Sequence, residues 1–403
     1  MKILMISNML FPMGGVETYM MSISEELKRL GHEVEFFGME DKRNTLTNKF
    51  GIYKRNIDYK KLSIKTLTYP MSVIYSFNSR RKLKKLLKLY KPDIIHLNTI
   101  NFNITPSIIS LISKFRIPII KTIHDAQIAC PNHRLFIEHK MEPCTRCIHG
   151  NYTNCFKNKC ISNSRSKSLI ATIESYFYHI KKTYLKIDKY ILPSKFMLNI
   201  HLTNGIPSSK MEYLINFSRL NIPSDYPYKG DYVIYFGRIS AEKGIGTLIK
   251  AIKELKEIMF YFVGTGPMSS DLESIDNVKL LGYKQGDELT TLISRAKLSV
   301  YPSEWYENSP LSVLESQALG TPVIAANIGG IPELITEKTG LLFKSGDYVD
   351  LKTKINLLFN DEKLLDDMTH ACKNNNFVLG VEQYSAKLIE IYKNMIEEKR
   401  IKK

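Results

Sequence analysis

The sequence of 403 residues has a single tryptophan and no long apolar run. No stretch approaches the roughly 20 consecutive apolar residues of a membrane-spanning helix. The first apolar run, 1–8, is short and is interrupted by Pro12 and the pair Gly14-Gly15, unlike a signal peptide. With 44% hydrophobic and 24% charged residues, the composition is that of an ordinary soluble protein. We therefore expect a cytoplasmic protein that is long enough for two domains with separate cores.

Acidic residues are scarce in the first half of the chain. Residues 1–205 contain 33 lysines and arginines against 14 acidic residues, a net charge of +19. Residues 206–403 contain 24 against 26, a net charge of −2. Because the basic residues are concentrated in one half, that half is expected to meet an anionic partner. Nucleic acid is disfavoured, since the lysines are interleaved with aliphatic rather than aromatic residues and no recognition motif is present.

The densest basic run, 80–88, has apolar residues at helical spacing. This pattern predicts a basic amphipathic helix, and two interpretations stay open. The helix could lie on an anionic membrane surface. Alternatively, it could be a lysine-rich surface helix whose leucines belong to the core. The apolar residues concerned are Leu83, Leu86, Leu87 and Tyr90.

Five of the six cysteines fall in one insert, 130–160. The spacing Cys144-x-x-Cys147 is compatible with a structural zinc site, and reduced thiols in a loop are the alternative. Disulfides are not expected in the cytoplasm. If zinc binds, it should stabilise the insert rather than take part in chemistry. The other three cysteines of the insert are Cys130, Cys155 and Cys160.

Strands and helices alternate along most of the chain, which predicts parallel sheets covered by helices on both faces. The first alternating set gives an N-terminal domain, 1–205. A segment containing prolines, serines and asparagines, 203–230, is the predicted linker. A second set gives a C-terminal domain, 206–384, and a helix over 385–403 is expected to pack back on the N-terminal domain.

The central functional stretch contains two glutamates, Glu307 and Glu315, with seven residues between them. Ser309 is predicted to cap a helix that begins at Pro310. The amides of this helix terminus favour an anion such as a phosphate. Carboxylates on both sides of a phosphate suit a nucleotide sugar, which has ribose hydroxyls on one side and sugar hydroxyls on the other. A surface helix with a solvated and a capping glutamate is the alternative.

Four further candidates lie in loops that follow predicted strands, where parallel sheets place functional groups. Arg238 and Lys243 can bind a diphosphate and stabilise it as a leaving group. His124 can hydrogen-bond a sugar hydroxyl or carry a proton, although a satisfied core histidine is more common. Gly15, at the start of a predicted helix, can let a phosphate approach the backbone, although a simple tight turn explains it as well.

Taken in order, these motifs resemble family 4 of the retaining glycosyltransferases. The resemblance rests on Gly-Gly-x-Glu, His-Asp, Gly-Arg-x5-Lys-Gly, Glu-x7-Glu and Gly-Gly-x-Pro-Glu, and it covers nearly the whole chain. It implies a GT-B fold, in which two Rossmann-like α/β domains face each other across a cleft. The C-terminal domain would bind the nucleotide sugar, and the N-terminal domain would bind the acceptor.

The resemblance also implies roles for individual residues. Arg238 and Lys243 would hold the donor diphosphate, Glu307 would contact the donor sugar, and Glu315 would accept hydrogen bonds from the ribose. His124 would lie beside the transferred sugar. The backbone of Gly15 would contact the phosphate, and the region of Gly282 and Tyr283 would lie near the base. The backbone from Ser309 through Pro310 to Leu311 would approach the sugar and the phosphates, although Pro310 has no amide hydrogen to donate.

Two segments depart from the family pattern. Ser309-Pro310-Leu311 stands where many members have Phe-Gly-Leu, which leaves the donor sugar open. Asn216-Phe217-Ser218-Arg219 stands where the linker usually reads Asn-Gly-Val-Asp, and this is expected to affect how the linker closes the cleft.

The expected activity is retaining transfer of a hexose from a UDP- or GDP-sugar, without a divalent metal or other cofactor. The basic N-terminal half suggests a lipid-linked saccharide acceptor in surface polysaccharide biosynthesis. The enzyme would then attach peripherally to the anionic inner face of the cell membrane. A nucleotide-sugar epimerase of the same fold is the main alternative, and a nucleic-acid-binding protein is a weaker one.

Overall fold

The computed structural model describes residues 1–55, 69–220, 228–375 and 377–401. Part of the predicted linker, 221–227, lies outside these residues. The chain divides into two compact units. The N-terminal unit comprises Met1–His139, Cys144–Ile215 and Val381–Lys403, and the C-terminal unit comprises Lys140–Pro143 and Asn216–Gly380.

The strands of the described residues are short, with two to five residues each. In chain order they are β1 (Lys2–Ile6), β2 (Glu33–Phe37), β3 (Ile94–Leu97), β4 (Ile119–Thr122), β5 (Phe136–Ile137), β6 (Glu142–Pro143), β7 (Lys189–Leu192), β8 (Met211–Tyr213), β9 (Phe217–Ser218), β10 (Tyr232–Phe236), β11 (Met259–Val263), β12 (Val278–Gly282), β13 (Leu298–Tyr301), β14 (Val323–Ala326), β15 (Gly340–Phe343) and β16 (Leu379–Gly380).

The α-helices alternate with these strands. They are α1 (Gly15–Arg29), α2 (Tyr69–Ile74), α3 (Phe77–Tyr90), α4 (Ser107–Ile112), α5 (Thr153–Lys157), α6 (Arg165–Ile180), α7 (Lys195–Thr203), α8 (Ile245–Lys253), α9 (Gly286–Arg295), α10 (Leu311–Ala318), α11 (Tyr348–Asn360), α12 (Glu362–Lys373) and α13 (Val381–Ile401).

Each unit is built on a six-stranded parallel sheet. The N-terminal sheet has the order β2-β1-β3-β4-β7-β8, and the C-terminal sheet has the order β12-β11-β10-β13-β14-β15. The central strands are buried on both faces; β10, for example, reads Tyr-Val-Ile-Tyr-Phe and is buried throughout. Continuous apolar strands of this kind require helices on both faces of the sheet. The two Rossmann-like sheets predicted from the alternating pattern are therefore confirmed.

Helix α3 contains the densest basic run. Three of its four leucines, Leu83, Leu86 and Leu87, are 0–2% exposed and belong to the core of the N-terminal unit, whereas Leu89 is 51% exposed. The lysines remain on the outer surface, and Lys84 and Lys85 are exposed. Of the two interpretations of this helix, the structure supports the lysine-rich surface helix with core leucines.

Helix α13 begins at Val381 and belongs to the N-terminal unit. A buried polar network fixes it there. The hydroxyls of Tyr384 and Tyr19 lie 2.9 Å apart, and the Tyr392 hydroxyl lies 2.5 Å from Nδ1 of His96. Burial, with a smaller contribution from the charge of Lys121, lowers the pKa of His96 to about 3. The imidazole is therefore neutral, as a buried ring without a carboxylate partner should be.

Candidate functional site

The C-terminal sheet reverses its strand order between β10 and β13, which are neighbours although two strands separate them in the chain. Beyond the carboxyl ends of strands at such a reversal, open α/β sheets have a crevice that binds ligands. The loops that leave the sheet there are 237–244, after β10, and 302–310, after β13. They contain Arg238, Lys243, Glu307 and Ser309. Four of the residues predicted for the site thus lie in two neighbouring loops.

These two loops are in close contact. Gly244 has φ +74°, and a Cβ atom added there would lie 1.8 Å from the carbonyl oxygen of Pro302. A third loop supports Glu307 from behind. The Gly330 amide donates to the Glu307 carbonyl at 2.8 Å, and a Cβ on Gly329, at φ +61°, would lie 2.5 Å from the same oxygen. Glycine is needed at these positions because side chains would prevent the close backbone approach.

Lys243 and Glu307 form a buried ion pair, with 2.5 Å between Nζ and Oε1. Lys243 also donates to the Tyr301 hydroxyl at 3.1 Å. Burial alone would lower the pKa of Lys243, but the charge and hydrogen bond of Glu307 raise it above its ordinary value. The ammonium is therefore charged. Since it has three hydrogens, one remains beyond these two contacts for a further acceptor.

Glu307 is held through one oxygen. Besides Lys243, its Oε1 accepts from Tyr301 at 3.0 Å, from Ser303 at 3.2 Å and from Trp305 Nε1 at 2.5 Å. Burial alone would raise the pKa of Glu307, but Lys243 and these donors more than offset it, so its pKa lies below the ordinary value. All four contacts are to Oε1. The described part of the chain shows no hydrogen bond to Oε2, which is left to accept from a ligand hydroxyl.

Arg238 contrasts with Lys243. It is exposed, and its backbone carbonyl accepts a hydrogen bond from the Tyr235 hydroxyl at 2.6 Å. Within the described ranges, no ion pair or hydrogen bond involves its guanidinium group. An exposed, uncommitted guanidinium beside a neutralised Lys243–Glu307 pair is well suited to bind a diphosphate in bidentate fashion.

Helix α10 begins one residue later than predicted. Pro310 is the N-cap, with an extended ψ of 125°, and Leu311 is the first helical residue. Ser309 does not cap the helix: its hydroxyl is buried and has no hydrogen-bond partner among the described residues. Its carbonyl instead accepts from Asn216 Nδ2 at 2.8 Å. The reason is that the extended Pro310 directs the chain away before the helix starts, so Ser309 precedes the capping position.

Glu315 lies on the second turn of α10 and is 2% exposed. Both Nε and Nη2 of Arg219 lie 2.8 Å from its Oε1. Burial raises the pKa of Glu315 above its ordinary value, and the charge of Arg219 only partly offsets this. Here too, the contacts seen among the described residues are to Oε1 and leave Oε2 without one.

Gly282 is the last residue of β12 and Tyr283 follows it, at the same edge of the sheet and two strands away from β10. Gly282 has φ +69°, and its carbonyl accepts from the Gly264 amide at 2.8 Å. Tyr283 is 70% exposed. The structure therefore places this pair at the sheet edge that carries the site, but not beside the two glutamates.

His124 and Gly15 belong to the N-terminal unit, and each lies beside a strand or helix as predicted. His124 follows β4, and its Nε2 lies 2.9 Å from Oδ1 of Asn98. Burial, then the charges of Lys121 and His96, lowers its pKa well below the ordinary value. His124 is thus a neutral hydrogen-bonding group. Gly15 is the first residue of α1, and a Cβ added there would meet no atom within 4 Å.

The cysteine insert has no ready set of metal ligands. Cys130, Cys144, Cys147 and Cys160 line a cavity of about 10 Å³. The cysteines are free, and Cys147 and Cys155 are buried with Tyr152 in a small apolar cluster. Within the described ranges, no three cysteine, histidine or carboxylate side chains are arranged to hold a metal ion. The structure shows these cysteines as free thiols, and both interpretations of the insert stay predictions.

Four residues with a clear part in this site were not among the predicted site residues. Tyr301, Ser303 and Trp305 orient Glu307, and Arg219 pairs with Glu315. A signal existed for two of them. Trp305 is the single tryptophan and stands two residues before Glu307, and Arg219 stands where the family pattern has aspartate.

Two family models match the chain. The model described as Glycosyltransferase Family 4 matches residues 13–217, about half of the chain, and Glycosyl transferases group 1 matches residues 221–375. The sulfoquinovosyl transferase SQD2 of Arabidopsis thaliana is 38% identical over 36% of this chain and 29% of its own length. An uncharacterized 42.6 kDa protein in the cps region of Klebsiella pneumoniae is 23% identical over 83% of this chain and 87% of its own length. The chain thus spans less than a third of the first relative.

Among solved structures, Anabaena Alr3699/HepE in complex with UDP is similar with a TM-score of 0.64 and 18% identity. The similarity covers 98% of this chain and 100% of that one. With the two parallel sheets, it confirms the predicted GT-B fold. Fold and family models together define the protein as a glycosyltransferase. The chain belongs to glycosyltransferase family 4.

Proposed function

We propose that this protein transfers a hexose from a UDP- or GDP-sugar to a lipid-linked saccharide with retention of anomeric configuration. One observation carries the proposal. At the strand-order reversal of the C-terminal sheet, two largely buried carboxylates are each anchored through Oε1, and the loop that carries Lys243 also carries the exposed Arg238. This arrangement offers acceptors for hydroxyls and a cation for a diphosphate.

In this proposal each residue of the donor site has a specific role in binding. Arg238 and the remaining hydrogen of Lys243 bind the diphosphate. The amide of Leu311, at the N-terminus of α10, adds positive potential. Glu307 accepts from a hydroxyl of the sugar, and Glu315 accepts from the ribose. The UDP bound to the structurally similar Anabaena protein supports a nucleotide in this role and favours UDP among the candidates.

The reaction breaks the bond between the anomeric carbon and the diphosphate oxygen, and the electron pair leaves with the diphosphate. Arg238 and Lys243 stabilise the charge that develops there. An acceptor hydroxyl forms the new glycosidic bond on the same face and gives its proton to a phosphate oxygen of the leaving group. Neutral His124 takes part as a hydrogen-bonding group beside the transferred sugar. No divalent metal ion is required in this scheme, because the two cations and the helix amides neutralise the diphosphate.

The proposed acceptor and the proposed cellular location are supported by observations outside the donor site. The net charge of +19 over residues 1–205 fits an acceptor with anionic phosphates at a membrane surface. The location of the Klebsiella relative in a cps region supports surface polysaccharide biosynthesis. Among the described helices, none is long and apolar enough to cross a membrane. We infer that the enzyme works peripherally at the inner face of the cell membrane.

The test is calorimetric binding of UDP, GDP and ADP to the wild-type protein and to Glu315→Gln. One diphosphate should bind, and the substitution should weaken it by about 1–3 kcal/mol, the range for a hydrogen bond to a charged group. Glu288→Gln is the matched control, since Glu288 is 60% exposed in a surface pair with Lys284. Equal binding by wild type and Glu315→Gln would contradict the ribose assignment.

Turnover separates transfer from epimerisation. With the preferred UDP- or GDP-sugar alone, the protein should release the nucleoside diphosphate slowly, by hydrolysis. An added lipid-linked saccharide should accelerate this release. Conversion of the donor to an epimer without acceptor would identify an epimerase instead. The anomeric configuration of the product, determined by NMR, should match that of the donor; an inverted product would rule out the retaining scheme.

A further inference from the structure

Helix α6 carries apolar side chains on its outer face. Leu169, Ile173, Phe177 and Ile180 follow one another at intervals of four, four and three residues, which places them on one side of a helix. Leu169, Ile173 and Ile180 are 44%, 46% and 72% exposed. The opposite face supplies the residues that α6 buries against its own unit, among them Ala171 and Tyr178. A helix at a protein surface normally exposes a polar face instead.

The start of α3 and the short helix α2 extend this apolar face. Helix α2 packs against α6, and the Tyr178 hydroxyl donates to the Ile74 carbonyl. The ring of Tyr75 lies 6.4 Å from that of Phe177 and 4.8 Å from that of Phe77. Met71 and Phe77 are 72% and 78% exposed. We call the whole set the apolar surface, which consists of Met71, Phe77, Leu169, Ile173, Phe177 and Ile180.

The rim of the apolar surface is basic. Residues 69–91 contain no aspartate or glutamate, and residues 165–182 contain only Glu174. Glu174 is 2% exposed, and burial raises its pKa to about 8, so it adds no surface charge at neutral pH. The exposed bases of the first segment are Arg81, Lys84, Lys85, Lys88 and Lys91, and those of the second are Arg165, Lys167, Lys181 and Lys182.

We propose that the apolar surface inserts into the interfacial region of an anionic lipid bilayer, with the rim bases contacting lipid phosphates. An exposed apolar face bordered by lysines and arginines, without exposed acids, has the composition of an interfacial membrane anchor. The insertion surface lies mainly on α6, and α3 contributes only its first residue, Phe77, because Leu83, Leu86 and Leu87 are in the core. A second copy of the chain is a poor occupant, since face-to-face contact would bring two basic rims together.

The experiment is co-sedimentation of the full chain with vesicles of phosphatidylcholine, alone or mixed with phosphatidylglycerol. The wild-type protein should bind the mixed vesicles at low salt and bind pure phosphatidylcholine weakly. Ile173→Glu and Ile180→Glu should each reduce binding to the mixed vesicles by about tenfold, since each removes roughly one buried aliphatic side chain from the contact. No donor or acceptor is needed, so this result is independent of the proposed transfer reaction.

Leu357→Glu on α11 is the matched control, because Leu357 is 47% exposed and lies in the other unit. It should bind vesicles as the wild type does. Lys84→Glu with Lys85→Glu should weaken binding to the anionic vesicles only. Thermal unfolding and nucleoside-diphosphate binding of all variants should match the wild type, which separates loss of the surface from loss of the fold.

Four results would overturn the proposal. Two concern vesicles: wild-type binding to anionic vesicles that Ile173→Glu and Ile180→Glu leave unchanged, or no wild-type binding at low salt. A third is a concentration-dependent dimer, detected by light scattering, that Ile173→Glu abolishes, which would assign the apolar surface to a second copy. The fourth is binding of an acidic protein in place of vesicles.

Discussion

The surroundings of Glu307 and of Glu315 differ in how each buried carboxylate is stabilised. Glu307 receives four donors at one oxygen, including the ammonium of Lys243, and its pKa lies below the ordinary value. Glu315 receives only Arg219 among the described residues, and its pKa lies above that value. Both side chains are mostly buried, so burial does not explain the difference. The number of donors decides which carboxylate is securely charged.

The two environments also come from different parts of the fold. The partners of Glu307 lie at the end of β13 and in the loops that follow β10 and β13, so the sheet itself positions them. The partner of Glu315 lies just after the two-residue strand β9, at the position where the family pattern has aspartate. The charge of Glu307 is therefore a property of the sheet and its loops, whereas the charge of Glu315 depends on one residue at which this chain departs from the family pattern.

Glu307→Gln should have the largest effect of the changes that test this comparison. It leaves the Lys243 ammonium buried without a counter-ion, which typically destabilises a protein by about 3 kcal/mol. Transfer activity should fall by about 100-fold, as when one stabilising group is removed from an active site. Chemical unfolding and steady-state kinetics measure the two effects. Glu304→Gln is the control, because Glu304 accepts from Thr247 at 2.6 Å and lies in the same loop. Equal losses in both variants would show that the ion pair has no special part.

Arg219→Ala should have a smaller, pH-dependent effect. The folded-state pKa of Glu315 is raised, so its ionisation destabilises the fold as the pH rises through that pKa. Removing Arg219 takes away the group that offsets this cost. The variant should be about 2 kcal/mol less stable than the wild type at pH 8, less than for a fully buried pair because Arg219 is 31% exposed. The deficit should shrink at pH 5, where Glu315 is protonated more readily. Arg219→Lys should restore most of the stability, and a deficit independent of pH would contradict the assignment.

The sequence allowed the fold and the loops of the site to be predicted, because continuous apolar strands and glycines at strand ends leave a strong signal. Glu307 and Lys243 were expected in one site, but their direct contact was not, since it depends on which strands are neighbours at the order reversal. The N-cap at Ser309 was wrong because a sequence pattern does not reveal the extended ψ of Pro310. Arg219 was seen only as a departure from the family pattern; its partner, 96 residues away in sequence, is fixed by tertiary structure.

Glu174 extends the comparison to a buried carboxyl without an ion pair in the described part of the chain. Its Oε1 has no hydrogen-bond partner there, and burial raises its pKa from 4.5 to about 8. The folded state holds this proton more tightly than the unfolded chain, so the stability it contributes is present at low pH and is lost between about pH 4.5 and 8. Glu174→Gln should therefore unfold like the wild type at pH 5 and be more stable by about 2 kcal/mol at pH 6.5, at roughly 1.4 kcal/mol for each pH unit. Thermal unfolding at both pH values is the measurement, and an equal shift at both would show that Glu174 does not titrate in this range.

Trp305→Phe should have the smallest effect, because it removes one of four donors to Glu307 and leaves the ring volume largely in place. The substitution removes the hydrogen bond of 2.5 Å from Trp305 Nε1 to Glu307 Oε1. Lys243, Tyr301 and Ser303 still donate to the same oxygen. We expect a loss of about 1 kcal/mol in stability, within the usual range for one hydrogen bond.

Tyr301→Phe is the matched variant. It also removes one donor to Glu307, and in addition it removes the hydroxyl that accepts a hydrogen bond from Lys243. It should therefore cost more than Trp305→Phe in both unfolding free energy and donor affinity. If Trp305→Phe were as damaging as Glu307→Gln, a single donor would control the charge of Glu307, and its environment would resemble that of Glu315 after all.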